Sequence, residues 1–373
     1  MKLFFEIMHI AVGNRTELTW TPSSSEWFEV YEVIVNHALI GVCMSAVSTI
    51  HRIALDDEDG EWNQQHRTQN LSDDLYIQWT SMTRQIYDRN VVVNRQCAEL
   101  QNMLIADGLR SSILKGQALA LLYNLPKTPS HPHPLELTPY RQSGDIDIWI
   151  EGGQKRVYDW LMSKGFPTKS PGAHDYKTAI FPDTLVEAHF SVGKIYNWFA
   201  NCSYQKWQKK HAEEQFLHHV TLTTGEDITT PTLEFYSRFL LAHIYRHFFC
   251  EGLGLRQVMD YYIVLRHLQA ENGEDVLRSN HASFLTRFHN ALLYVIHEVF
   301  GDTAGLSYKE TPEGRYLLKD ILSAGSFGNA DFARVWTDEP NRFKRHMKFL
   351  KIQSRYLRHF PLDTLWSTLY TAM

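Results

Sequence analysis

The sequence predicts an α+β fold, a small mixed sheet flanked by N- and C-terminal helical segments. Two patterns carry that expectation. Apolar residues recur at helical spacing up to about residue 107 and again from about residue 231, while short stretches between them alternate polar and apolar. The chain has 373 residues, of which 44% are hydrophobic and 21% charged, enough to bury a large core without disulfide staples. The expected divisions are a helical region over 1–95, a mixed core over 96–230 and a helical domain over 231–373.

Residues 26–54 read as one helical stretch, with Trp27, Val30, Ile34, His37, Ala38 and Gly41 near one face. The acidic run at 56–61 reads as a solvated loop. A long helix follows over 73–107, its stripe formed by Leu75, Trp79, Met82, Ile86, Val93, Cys97, Leu100 and Leu104, with Gly108 as the C-cap. A short strand is expected at 111–114, ending at Lys115-Gly116, then a helical turn at 118–123. Five prolines and two histidines make 125–139 a loop. Residues 145–150 alternate as a strand, 154–164 suit a helix stopped by Gly165, and 176–181 and 184–190 read as strands around Pro182-Asp183. Pro231 is expected in the first turn of a helix reaching Phe249; Gly252 and Gly254 interrupt it, and 255–268 resumes it.

Composition excludes several classes. A formal net charge of -5 gives no general pull toward nucleic acid or anionic membrane. No uncharged apolar stretch approaches the roughly 18 residues a membrane span needs. Glu6 and His9 interrupt the apolar N-terminus, so it does not read as an export signal. Cys43, Cys97, Cys202 and Cys250 are far apart and lack ligand spacing, which suits reduced thiols in a cytoplasmic protein.

The chemistry concentrates in three segments: Lys115-Gly116-Gln117, Arg141 through Gly144-Asp145-Ile146-Asp147, and Val186-Glu187-Ala188-His189. On a strand, residues two apart share a face, which sets Asp145 and Asp147 side by side. Two adjacent carboxylates repel, and burial raises the cost; a divalent cation relieves both. Glu187, on a neighbouring strand, would complete a three-carboxylate cluster suited to phosphoryl or nucleotidyl transfer. Gly116 lets the backbone approach a phosphate, and Lys115 and Arg141 would counter its charge.

In this order, the segments resemble the polymerase-beta-type nucleotidyltransferase superfamily, and more closely the bacterial uncharacterised nucleotidyltransferase family. The stretch from His243 to Asp260 resembles that family's C-terminal part, so the resemblance covers roughly 30–270. It implies that Asp145, Asp147 and Glu187 are catalytic and bind two Mg²⁺ ions, with Mn²⁺ able to substitute, Glu187 acting on the acceptor hydroxyl. It also implies that Lys115, Gly116, Gln117, Arg141 and Gly144 meet an NTP, ATP foremost, whose NMP group passes to an acceptor the sequence does not identify. Two departures stand out. Gln117 replaces the usual Ser or Gly after Gly116, and the 125–139 loop lengthens the gap to Asp145. They motivate an alternative, a catalytically inactive nucleotide-binding module.

Other features read as structural first. His243 and His247 stand i, i+4 on a helix as a histidine pair, with presentation to Zn²⁺ as the sharper reading, and Arg256 and Asp260 stand i, i+4 as a helix ion pair, with nucleotide contact as the sharper reading. His174 reads as an exposed or phosphate-contacting residue. His189 shares the strand face of Glu187 and reads as a satisfied core histidine, with orientation of an acid or ligand through a ring nitrogen as the sharper reading. The basic, acid-free stretch 342–359 reads as the solvated face of a helix, with an RNA or anionic-surface patch as the sharper reading.

Overall fold

The computed structural model describes residues 1–53, 70–126, 135–168, 172, 174–272, 285–325 and 341–372. Three helices open the chain: α1 (Lys2–Ala11), α2 (Ser24–Asn36) and α3 (Ile40–Ile53). The single helical stretch expected over 26–54 is thus two helices. Ala38, at φ 55°, takes a left-handed conformation that no helix continues through, and the chain turns there. α2 begins in a capping box, with Ser23 bonded to the Glu26 amide and Glu26 bonded back to the Ser23 amide. The acidic run at 56–61 lies outside the described residues.

The long helix α4 (Asp73–Ala106) starts at the Ser72 cap with Asp73 and Asp74 in its first turn, where acids complement the helix dipole. It ends at Ala106, with Asp107 as the C-cap and Gly108, at φ 71°, just beyond. α4 runs unbroken through the division expected at residue 95, because its apolar stripe from Leu75 to Leu104 is buried along its whole length.

The sheet follows. β1 (Ser111–Ile113) leads through the single turn α5 (Gln117–Ala120) to β2 (Asn124–Leu125) and β3 (Leu135–Glu136), which pair antiparallel. The two legs of the expected 125–139 loop therefore form a short ladder; 127–134 lie outside the described residues. β4 (Ile146–Ile150), α6 (Gly153–Ser163), β5 (Asp175–Thr178) and β6 (Val186–His189) complete a four-stranded sheet ordered β1-β4-β6-β5. β4 is buried at all five positions, as a central strand covered on both faces must be. β4 and β6 run parallel, with Asp147 opposite Glu187; β1 and β5 are antiparallel to their neighbours.

α7 (Trp198–Gln215) and the hairpin β7 (His219–Thr221) and β8 (Asp227–Thr229) lie where the sequence offered no clear pattern. The buried side of α7 includes Gln208 and Gln215, so it lacks an apolar stripe to read. Gln215 is fully buried because its side chain accepts the Thr232 amide proton at 2.7 Å. Thr232 caps α8 (Leu233–Cys250), which places Pro231 before the cap, outside the first turn where it was expected. α9 (Leu255–Asn272), α10 (Thr286–Phe300), α11 (Pro312–Ala324), α12 (Arg342–Gln353) and α13 (Pro361–Ala372) complete the chain. One continuous apolar core runs from Leu3 to Phe360. The four cysteines are unpaired, and no described helix is long and apolar enough to cross a membrane.

Gly41, near the start of α3, ties the N-terminal helices to the approach to β4. A Cβ there would lie 2.5 Å from the Tyr140 carbonyl oxygen, a backbone atom that cannot swing aside. Gly41→Ala is expected to lose about 1–2 kcal/mol, since overpacking outweighs the gain of at most about 1 kcal/mol in helix propensity. Urea unfolding of the two proteins measures it, and an unchanged or higher midpoint contradicts the close approach.

Candidate active site

The loop before β4 is held by α4. The Asn90 side-chain amide donates to the carbonyls of Pro139 and Arg141, both at 2.9 Å. From there the chain passes Ser143, Gly144 and Asp145 into β4. These residues, with Lys115 and Gly116 after β1, form one side of a cavity of about 520 Å³. α8 and the start of α9 form the opposite side, through His243, Arg246, His247, Arg256, Gln257 and Asp260.

Asp145, Asp147 and Glu187 all line this cavity. Asp147 is 2% exposed and is held by Lys115 Nζ at 2.8 Å and His189 Nε2 at 2.9 Å. Glu187, opposite it in the β4–β6 ladder, pairs with Lys177 Nζ at 2.7 Å. Electrostatics separates the acids. Burial alone would raise the Asp147 carboxyl, but Lys115 and His189 hold it well below the ordinary range. For Asp145 the Asp147 charge, reinforced by burial, outweighs the attraction of Lys115 and Arg256 and pushes it up to about 6. Burial disfavours the Lys115 ammonium, but Asp147, Glu187 and Asp145 together keep it above its usual value.

Ligand atoms of Asp147, Glu187 and His189 lie within 4.8 Å of one another. The tight cluster thus includes His189, with Asp145 beside it in the cavity. His189 is 3% exposed, but among the described residues its second ring nitrogen, Nδ1, is buried without a hydrogen-bond partner, so it is not the fully satisfied core histidine its strand position suggested.

The residues expected to meet phosphates divide. Gly116, at φ 62°, and Gly144 line the cavity with no side chain in the way. Gln117 points elsewhere. Its amide donates to the Asn90 carbonyl at 3.2 Å and to the Asn94 side chain, and it accepts from Ser143 Oγ at 2.5 Å. It is 3% exposed and braces α4 against the loop, which is why a long amide stands where a small residue was expected.

Arg141 lines the cavity but is already neutralised by Asp260, with Nε at 2.7 Å from Oδ1 and Nη2 at 2.7 Å from Oδ2. Asp260 is therefore not the i, i+4 partner of Arg256; it reaches across to the β4 approach, where a planar guanidinium matches it bidentately. Arg256 instead donates to the Gln142 carbonyl at 2.8 Å, and burial lowers its guanidinium pKa.

His243 and His247 also face the cavity, with ring centroids 4.2 Å apart. They are part of its wall, beyond the structural pairing their spacing suggested. Burial holds His243 well below its ordinary value, with Lys115 and His247 adding to the effect. His174 is 7% exposed, not a surface residue; burial first, then Arg246 with Nη1 2.6 Å from Nδ1, keeps its ring neutral. None of the basic stretch 342–359 lines the cavity. The wall residues of α8 were hidden in the sequence among 19 histidines; their one signal was the i, i+3, i+4 spacing of His243, Arg246 and His247 around one helix face.

A small mixed sheet that sets buried acids beside a glycine-lined cavity is an architecture suited to group transfer at phosphorus. The family comparison is more specific. The chain belongs to the family described as "uncharacterised nucleotidyltransferase", whose model matches residues 23–301. Among solved structures, an antigenic nucleotidyltransferase-like protein from Paracoccidioides brasiliensis matches at 18% identity, over 52% of this chain and 87% of its own, with a TM-score of 0.30. At that overlap nothing is carried from it to this chain. No curated protein matches.

Two outcomes follow from the electrostatics. A carboxyl raised from 3.8 to about 6 binds its proton more tightly in the folded state, so ionising it opposes folding. That cost is absent below about pH 4 and complete above about pH 6. In EDTA, Asp145→Asn is expected to gain roughly 1–3 kcal/mol at pH 7.5 and nothing at pH 4. Urea unfolding at the two pH values checks this, and an equal gain at both contradicts it. Asp260→Asn strands a buried guanidinium and is expected to cost about 3–5 kcal/mol. In the same assay, the Arg141→Met, Asp260→Leu double variant should recover most of that loss.

Proposed function

We propose that the protein is a Mg²⁺-dependent nucleotidyltransferase that moves an NMP group from an NTP, ATP first among donors, to an acceptor hydroxyl. The observation that carries this reading is the alignment of Asp147 with Glu187 across parallel strands, with Asp145 two residues earlier facing the same cavity. The residues suit a divalent cation. With Lys115 and Lys177 already engaged, the remaining repulsion still pushes Asp145 up to about 6, and a cation among oxygen ligands would relieve it. Asp145, Asp147 and Glu187 would hold it; bound there, it would polarise the α-phosphate and offset the charge of the leaving pyrophosphate.

The acceptor oxygen bonds to the α-phosphorus. The bond from that phosphorus to the oxygen bridging to the β-phosphate breaks, and pyrophosphate leaves with the electron pair. The acceptor proton passes to Glu187. Gly116 and Gly144 admit phosphate oxygens close to the backbone, and Lys115, at the edge of the cavity, counters their charge. The core over 96–230 supplies these groups, while the helices after 231 supply the far wall, where the acceptor sits beside His243 and Arg246. The unpaired cysteines suit a reducing, cytoplasmic setting.

The alternative, a nucleotide-binding module without turnover, draws support from the prior engagement of two expected phosphate cations, Lys115 with Asp147 and Arg141 with Asp260. Incubation with α-³²P-labelled NTPs, Mg²⁺ and a cell extract as acceptor source separates the two. Transfer of label is expected, falling at least about 100-fold in Asp147→Asn, the scale for losing a group that stabilises transition-state charge. Calorimetric binding of NTP with no transfer to any acceptor would establish the module instead, and undiminished transfer in Asp147→Asn would refute the mechanism.

A further inference from the structure

Lys115, Arg141, Lys177, Arg246 and Arg256 all line the cavity, and their pairing is uneven. Lys115 Nζ is 2.8 Å from Asp147, Arg141 Nη2 is 2.7 Å from Asp260 and Lys177 Nζ is 2.7 Å from Glu187. Arg246 is 3.8 Å from Glu251 and also donates to His174. Arg256 is the exception. Among the described residues it has no carboxylate at salt-bridge distance, and its hydrogen bonding is limited to Nη1 and the Gln142 carbonyl at 2.8 Å. Most of the N–H donors of its guanidinium are therefore uncommitted.

A guanidinium in that condition is costly. Arg256 is half-buried, and burial first, then the Arg141 charge, works against its ionised form. Asp260 and Asp145 attract it, but Asp260 is already committed to Arg141 and Tyr123. A fixed, partly desolvated cation without a counter-charge suits an anion that arrives from solution. The surroundings fit a phosphate. Gln142, which holds Arg256, comes two residues before Gly144, and a Cβ at Gly144 would meet no atom within 4 Å. Open space thus lies along the backbone near the guanidinium, whose planar fork matches a pair of phosphate oxygens.

Position decides which phosphates these are. Arg256 is tied to the approach to β4, whereas Lys177 sits on β5, the edge strand beyond Glu187. The acids on β4 and β6 stand between them. In an in-line displacement the leaving and attacking oxygens lie on opposite sides of the phosphorus. We infer that Arg256, with the open backbone at Gly144, binds the β- and γ-phosphates of the donor and holds the pyrophosphate as it leaves, so that the acceptor enters from the side of Lys177 and His174. The inference rests on the reading of this cavity as a nucleotidyl-transfer site, and adds the direction in which the donor lies. Arg141, the arginine whose place in the chain suggested this role, braces the loop instead.

The test titrates the full-length protein with inorganic tripolyphosphate by calorimetry, once in EDTA and once in Mg²⁺. Arg256→Gln is expected to weaken binding roughly 10–100-fold, the scale of losing hydrogen bonds between charged groups, and Arg256→Lys to weaken it less. A second measurement needs no variant to fold. Phenylglyoxal modification of the wild-type protein, mapped by mass spectrometry, is expected to label Arg256 and to slow there when tripolyphosphate is present. Equal affinity in the wild type and Arg256→Gln would overturn the inference. So would labelling of Arg256 that tripolyphosphate does not slow, or no binding in either buffer. Label transfer from α-³²P-labelled NTP, measured separately, tells the two readings apart. Tripolyphosphate binding that depends on Arg256, without transfer, leaves the phosphate site standing and removes the transferase; transfer undiminished in Arg256→Gln does the reverse.

Discussion

The structure turns on one buried charge. Asp147 is the second residue of a strand buried from end to end, in a place where an isolated carboxylate would be prohibitively costly. Lys115, from the turn after β1, and His189, from the end of β6, meet it there. These three residues come from three separate parts of the chain, and the sheet order β1-β4-β6 brings them together. Pairing makes the charge tolerable, but a buried ion pair is weak evidence of stabilisation. Its retention in the central strand points to chemistry at that position, a reading consistent with the nucleotidyltransferase family to which the chain belongs.

A second buried pair sets the width of the cavity. Arg141 and Asp260 join the approach to β4 to α9 through two parallel hydrogen bonds, and Tyr123 adds a third bond to Asp260 at 2.8 Å. The loop carrying Ser143 to Asp145 is thereby fixed against the helices that form the far wall. Gln117 and Asn90 brace the same loop from the α4 side. Side chains that looked available for a substrate are largely spent on holding the site open at a defined width. Lys115, Asp145, His243 and Arg256 also face the cavity.

The sequence was legible where one physical requirement dominates. The buried stripe of α4 recurs from Leu75 to Leu104, so its helix was readable almost to the residue. The Asp145–Asp147 spacing and the strand bearing Glu187 were readable because strand alternation puts residues two apart on one face. Legibility failed where polar residues do the burying. The glutamines of α7 concealed a helix, and a single left-handed residue, Ala38, divided what looked like one helix into two.

By itself, then, the sequence determined the mixed α+β character, the order of the charged segments and the two aspartates that share a face, because these depend on local periodicity. Tertiary structure alone decided the partners. Arg141 met Asp260 rather than a phosphate, Gln117 turned into the scaffold, and His189 joined Asp147 and Glu187. Each pairing joins residues distant along the chain, and strand register and helix placement, set by burial of the whole core, determine which charges meet.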